Sequence, residues 1–146
     1  MSMKTISAAV IAGLMTIGVV SSFAQDAFAT PEEAVAMRQD LMKEDGGLMR
    51  TLNGLSGTEA AAALQTILTN YTHIPDVFPE GSIVGDSKAL PAIWENWDAF
   101  TAIVETGKAA ATAGIAAAEA GDATAYAAAL QALGGTCGQC HQQFRS

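Results

Sequence analysis

Along four stretches of this chain apolar residues return at every third or fourth position, and almost nowhere do they alternate, so the regular structure it supports is helical. Thr30-Pro31-Glu32-Glu33 opens the first stretch. Thr30 can cap, Pro31 fits the first turn, and Glu33 can close a capping box. Ala34, Met37, Leu41, Leu48 and Leu52 then keep helical spacing as far as Asn53-Gly54. Ser56-Gly57-Thr58-Glu59 repeats the device, followed by the stripe Ala60, Leu64, Ile67, Leu68 and Tyr71 and a stop at Pro75. From Pro75 to Leu90, with Pro79, Gly81 and Gly85, no period is visible, and the segment reads as a long connection. A third seam runs from near Pro91 through Ile93, Trp97, Phe100, Val104, Ala111, Ile115 and Ala118 to Gly121. Asp122 caps the fourth, whose stripe is Tyr126, Leu130, Leu133, Cys137, Cys140 and Phe144. The short links at Asn53–Ser56 and Gly121–Asp122 make those pairs antiparallel. The fold expected is all-α, an antiparallel up-down-up-down four-helix bundle. Met37 and Met49 read as core, as do Trp94, Trp97 and Phe100; His73, at the end of the second helix, reads as exposed.

The last helix carries Cys137-Gly138-Gln139-Cys140-His141, a C-x-x-C-H pattern and the site type at which haem c is attached. Residues three and four apart share a helix face. Both thiols can therefore form thioethers to one porphyrin while His141 offers its imidazole to the iron. Two other readings use the same residues. A redox dithiol of thioredoxin type would come with a βαβ pattern, which is absent. Half of a zinc site would need a second Cys or His cluster, and the chain has only these two cysteines and two histidines. Gly46-Gly47 and Gly134-Gly135 each carry two readings, close approach of a porphyrin or close packing of helices.

The first residues set an expectation of export. Lys4 precedes an apolar run from Ile6 to Val20, then Ser22-Phe23-Ala24, a small-x-small cleavage pattern. Residues 1–24 read as a secretory signal peptide, with Ala29 as an alternative end, and 25–146 as a single domain. The run is short for a bilayer span, so no membrane attachment is expected after cleavage. Cleavage removes Lys4 and moves the net charge from −8 to about −9. That sign excludes a nucleic-acid binder and suits a basic protein partner.

The ending Leu133-Gly134-Gly135-Thr136-Cys137-Gly138-Gln139-Cys140-His141-Gln142-Gln143-Phe144-Arg145 resembles the haem segment of the cytochrome c′ family, the class II c-type cytochromes. Arg38-Gln39 with Met42-Lys43, Phe78-Pro79-Glu80-Gly81-Ser82 and Ala92-Ile93-Trp94 extend the resemblance across the mature chain. It implies one covalent haem c in a periplasmic bundle, commonly a homodimer packed through its first two helices. His141 would be the axial iron ligand, and Cys137 and Cys140 the thioethers. Arg145 would lie beside the imidazole, in the iron's proximal surroundings. Arg38 and Gln39 would approach the haem edge and its propionates; solvated helix charge is the other reading. Lys88 could reach a propionate too, although it departs from the family's usual residue there. Trp94 matches a family position near the haem.

Met42 falls where the family covers the iron's second face, and its thioether permits two outcomes. An apolar cover leaves five-coordinate iron open to nitric oxide and carbon monoxide, alongside one-electron transfer with a small redox protein; this outcome is favoured by the match of the C-terminal segment. Ligation by Met42 as sixth ligand gives a low-spin His/Met electron carrier on the same fold. A third alternative is an exported helical protein without haem, using the cysteines as a redox disulfide. No general acid or base stands in the sequence over the distal face, so an enzyme is not expected.

Overall fold

The computed structural model describes residues 28–146. The expected signal peptide of residues 1–24 lies outside the described residues. Five helices follow in order: α1 Pro31–Thr51, α2 Gly57–His73, α3 Ala92–Glu95, α4 Trp97–Ala120 and α5 Ala123–Phe144. The four long ones build a four-helix bundle. Among the described residues the sole β-type pairing is an isolated bridge between Ala89 and Arg145.

Local chemistry accounts for the helix ends, with two departures from expectation. Thr30 Oγ1 accepts from the Glu33 N–H at 3.2 Å. Glu33 reaches back to the Ala29 N–H at 2.8 Å, so the box closes one residue wider than the standard pattern. Asp122 accepts from the N–H groups of Thr124 (3.1 Å) and Ala125 (2.9 Å). Ser56 makes no side-chain cap bond. Gly57, at φ 55°, starts α2 in the left-handed region and turns the first peptide away from the serine hydroxyl. The third seam is also broken. At Asn96 (φ −131°, ψ 48°) α3 stops and α4 begins. The Asn96 backbone N–H (3.0 Å) and Nδ2 (3.3 Å) both donate to the Ala92 carbonyl, which ends the short helix on itself.

Small residues decide which helices come close. The buried face of α4 runs Gly107, Ala110, Ala111, Gly114, Ala117 and Ala118. A Cβ on Gly107 would stand 1.9 Å from Tyr71 Cε1 of α2, and one on Gly114 would stand 2.9 Å from Leu64 Cδ1. The backbones of α2 and α4 can approach to this degree because no side chain intervenes, and α5 packs equally closely on α4. The buried face of α1 carries Ala34, Val35, Arg38, Leu41 and Asp45 instead, and α1 meets α2 far more sparsely. Met37 is a correction to the sequence reading: at 53% exposure it lies off the buried face, one position before Arg38.

The long connection is tied at both ends. Arg38 holds its first half, and Trp94 Nε1 donates to the Phe78 carbonyl at 3.0 Å. Its second half is pinned to the C-terminus by Leu90 N–H to Phe144 O (3.0 Å) and Ser146 N–H to Lys88 O (2.9 Å). Beneath it, the buried Phe100 ring meets Phe78, Trp97 and Phe144 at centroid separations of 5.1, 5.3 and 5.5 Å. This floor joins the long connection to the start of α4 and the end of α5.

Candidate haem site

On α5 the two thiols are half-buried and pack against the core, while His141 lies at the surface with part of its ring covered. Burial, and then the neighbouring Arg145 charge, lowers the His141 pKa, so the imidazole is neutral at ordinary pH, the form that can ligate iron. The Arg145 N–H bonds the His141 carbonyl at 3.2 Å, which seats the arginine one turn beyond the histidine. Burial, with Cys137 adding to it, pushes the Cys140 thiol up to about 11. A reactive redox dithiol needs a depressed pKa, and this site works against one.

Arg38, Met42, Asp45 and Met49, spaced four, three and four apart, share one face of α1. Met42 and Met49 are half-buried against the core. A Cβ on Gly134 of α5 would lie 3.8 Å from Met49 Cε, which places the two helices across from each other. A Cβ on Gly46 or Gly47 would meet only Arg50 of the same helix, and one on Gly135 or Gly138 would meet nothing within 4 Å. Close helix packing is therefore not what these glycines serve.

Arg38 is buried at 5% exposure. One terminal nitrogen donates to Ser82 Oγ (2.8 Å) and to the Val77 carbonyl (3.4 Å), and the other to the Ser82 carbonyl and to Ser87 Oγ (2.6 Å). Its guanidinium also lies 4.8 Å from the Phe78 ring centroid. All these acceptors are neutral, and no carboxylate of the described residues pairs with it. A buried cation lacking a counter-ion is costly, and a haem propionate is an anion that the remaining Nε–H could meet. The donor set thus fits haem c. Gln39 Nε2 is engaged with Asp86 Oδ1 at 3.0 Å, and the Lys88 side chain is exposed.

The profile of the cytochrome C′ family matches residues 33–145 of this chain. The chain belongs to the cytochrome c′ family. It is 39% identical to cytochrome c-556 of Agrobacterium fabrum, over 99% of this chain and 97% of that one. A cytochrome c′ with an unusual ligand-controlled dimer dissociation superposes with a TM-score of 0.73 at 25% identity, covering 82% of this chain and 99% of the other. A nitric oxide complex of a mutant cytochrome c′ from Alcaligenes xylosoxidans superposes with a TM-score of 0.72 at 27% identity, covering 82% and 98%. Cytochrome c′ proteins carry haem c, and this one is a haem c protein.

Four polar residues at the site escaped the sequence reading. Tyr71 Oη lies 3.0 Å from Thr136 Oγ1 and 3.2 Å from Cys137 Sγ. Because Thr136 donates to the Leu133 carbonyl at 2.7 Å, its oxygen is left to accept from Tyr71. Burial, then the thiol of Cys137, raises the Tyr71 pKa, so the phenol stays protonated and a donor. Asp45 is buried at 6% exposure and accepts from Asn70 Nδ2 at 2.7 Å. Its place seven residues after Arg38 was the available signal.

Proposed function

We propose that the protein is a periplasmic cytochrome that carries single electrons and binds nitric oxide and carbon monoxide at a five-coordinate iron. In this reading Cys137 and Cys140 hold the porphyrin and His141 is the axial ligand. Arg145 sits by the imidazole, where its charge favours the ferrous state. Arg38 answers a propionate, and Gln39 and Lys88 flank the same edge. The protein works as a homodimer, exchanges electrons with a small redox protein, and is not itself an enzyme. The observation that carries the reading is that Cys137 and Cys140 on α5 and the apolar Met42 on α1 all pack, half-buried, against one core. The fold match to a cytochrome c′ solved with nitric oxide supports it. Among the described residues no helix is long and apolar enough to cross a membrane, which is compatible with a free periplasmic domain.

Met42 itself favours a second reading, in which its thioether is the sixth ligand and the protein is a low-spin carrier. Absorption spectra of the ferric and ferrous protein, with and without carbon monoxide, separate the two. A broad high-spin ferrous Soret band that sharpens with carbon monoxide supports the open face. Sharp α and β bands indifferent to carbon monoxide support ligation. Met42→Ala should keep the spin state and speed gas binding in the first case, and turn the iron high-spin in the second. Absence of haem absorption from protein matured with haem-attachment machinery would overturn both readings.

A further inference from the structure

The face of α1 that carries Arg38 and Met42 holds a second buried ionisable residue, Asp45, whose charge acts on Tyr71, the phenol that reaches Cys137. Asp45 lies one turn past Met42, is almost fully enclosed, and forms no ion pair among the described residues. The charged and titratable groups around it are few. Glu44, its neighbour on α1, has the same sign and opposes ionisation. From α2 come the neutral amide of Asn70 and the Tyr71 phenol, which reaches on to Cys137 of α5. Behind the Tyr71 ring lies Gly107 of α4, which carries no charge. Arg38, two turns away, spends its terminal nitrogens on the loop. Propionates, when haem is bound, would add negative charge. The positive charge that can face this carboxylate is therefore that of ferric haem, whose iron–porphyrin core carries one unit that reduction removes.

We propose that Asp45 binds a proton when the iron accepts an electron, so that the protein carries the two together. The inference rests on the haem c reading above. A one-electron donor, in the cell a small redox protein, reduces Fe(III) to Fe(II). The carboxylate of Asp45 then loses its counter-charge, and a proton from solvent converts it to the carboxylic acid. Reoxidation returns both. Electrons and charge balance: one electron enters, and up to one proton accompanies it. As a general scale, removing a unit charge on the order of 10 Å from a titrating group, through an effective dielectric of about 20, changes its proton affinity by roughly tenfold.

The resting affinity suits the task. Burial first, opposed by the Asn70 hydrogen bond and aided by Glu44, pushes the carboxyl up to about 6. The carboxyl also lies close to the surface, because Asn70 Nδ2 donates both to Asp45 Oδ1 at 2.7 Å and to Oε2 of the exposed Glu44 at 2.9 Å. Asn70 and Glu44 line a shallow depression between α1 and α2 that also includes Asp40 and His73. The buried carboxyl is thus one side chain away from the surface.

The test is a spectroelectrochemical titration of the haem-loaded protein, reading its midpoint potential from about pH 4.5 to about pH 8. The wild-type potential should fall as pH rises around 6, with a steepest slope of roughly 30 mV per tenfold change in proton concentration, about half of the ~59 mV of a fully coupled proton, because the two oxidation states differ about tenfold in proton affinity. Asp45→Asn should flatten that slope and leave the ferric and ferrous spectra unchanged. A flat wild-type curve, or an undiminished slope in Asp45→Asn, overturns the proposal and assigns any protons to the propionates or elsewhere. Should the variant fail to fold, the wild type decides alone by redox-difference infrared spectroscopy. Reduction should raise a protonated-carboxyl band that moves with ¹³C-aspartate labelling; a band that ignores the label, or no band, overturns it. A protein without any haem couple would instead overturn the underlying function.

Discussion

Arg38 and Asp45 occupy one face of α1 two turns apart, and each is ionisable, buried and without an opposite charge among the described residues. Their options differ. An arginine keeps its proton even though burial lowers its affinity, so Arg38 must find acceptors, and it finds them in Ser82, Ser87 and the Val77 carbonyl. An aspartate can neutralise itself. Asp45 holds its proton up to about pH 6, whereas the unfolded chain releases it near the ordinary 3.8. Between those values the folded form binds more protons, so this residue's contribution to stability is complete below 3.8 and is lost as pH rises through about 6. Asp45→Asn keeps an acceptor for Asn70 and removes that loss. In the ferrous protein the variant should be more stable than wild type at neutral pH, by up to about 3 kcal/mol, and the gap should close towards about pH 4. Denaturant unfolding at both pH values checks this, and an equal gap at each would sink it. From sequence, an aspartate reads as surface; only its register with Arg38 and Met42 marks it as part of the inner stripe, and register becomes meaningful once that stripe is known to be buried.

At the scale of the element, the helices were legible and their fine divisions were not. Thr30, Pro31, Asp122 and Gly121 act within one turn of their own positions, so spacing alone exposes them. The break at Asn96, the idle hydroxyl of Ser56 and the outward turn of Met37 depend on how a backbone is aimed or what lies opposite it, which no local pattern contains. The small-residue face of α4 is a further case: alanines and glycines read as helix filler until Tyr71 is seen lying over Gly107. The Tyr71 ring cannot withdraw, because its hydroxyl is tied to Thr136 and Cys137. Gly107→Ala should therefore cost about 1–3 kcal/mol even after the better helix propensity of alanine is counted. At Gly114 the nearest obstacle is the flexible end of Leu64, and Gly114→Ala should cost less. Equal denaturation midpoints for the two variants would contradict this account of how α2 and α4 pack.

For the whole molecule, the distribution of contact points to how the haem site and the fold depend on each other. Helices α2, α4 and α5 form a tightly packed set, while α1 meets α2 sparsely and is otherwise joined to the rest through Arg38 and the long connection. The thioether residues lie on α5, and the side chains answering them across the site, Arg38, Met42 and Met49, lie on α1. Haem c held at Cys137 and Cys140 would then be a principal bond between α1 and the other three helices, so the bundle needs its cofactor most at the helix that covers the iron. This asymmetry is invisible in the sequence, where all four long helices show stripes of comparable quality. Replacing both Cys137 and Cys140 with Ser should leave α4 and α5 protected against hydrogen exchange, while the amides of α1 exchange much faster than in the haem-loaded protein. Mass-spectrometric exchange resolved by peptide makes the comparison directly. Loss of protection spread evenly over all four helices would mean that the haem stabilises the bundle as one unit, and α1 would then have no special dependence on it.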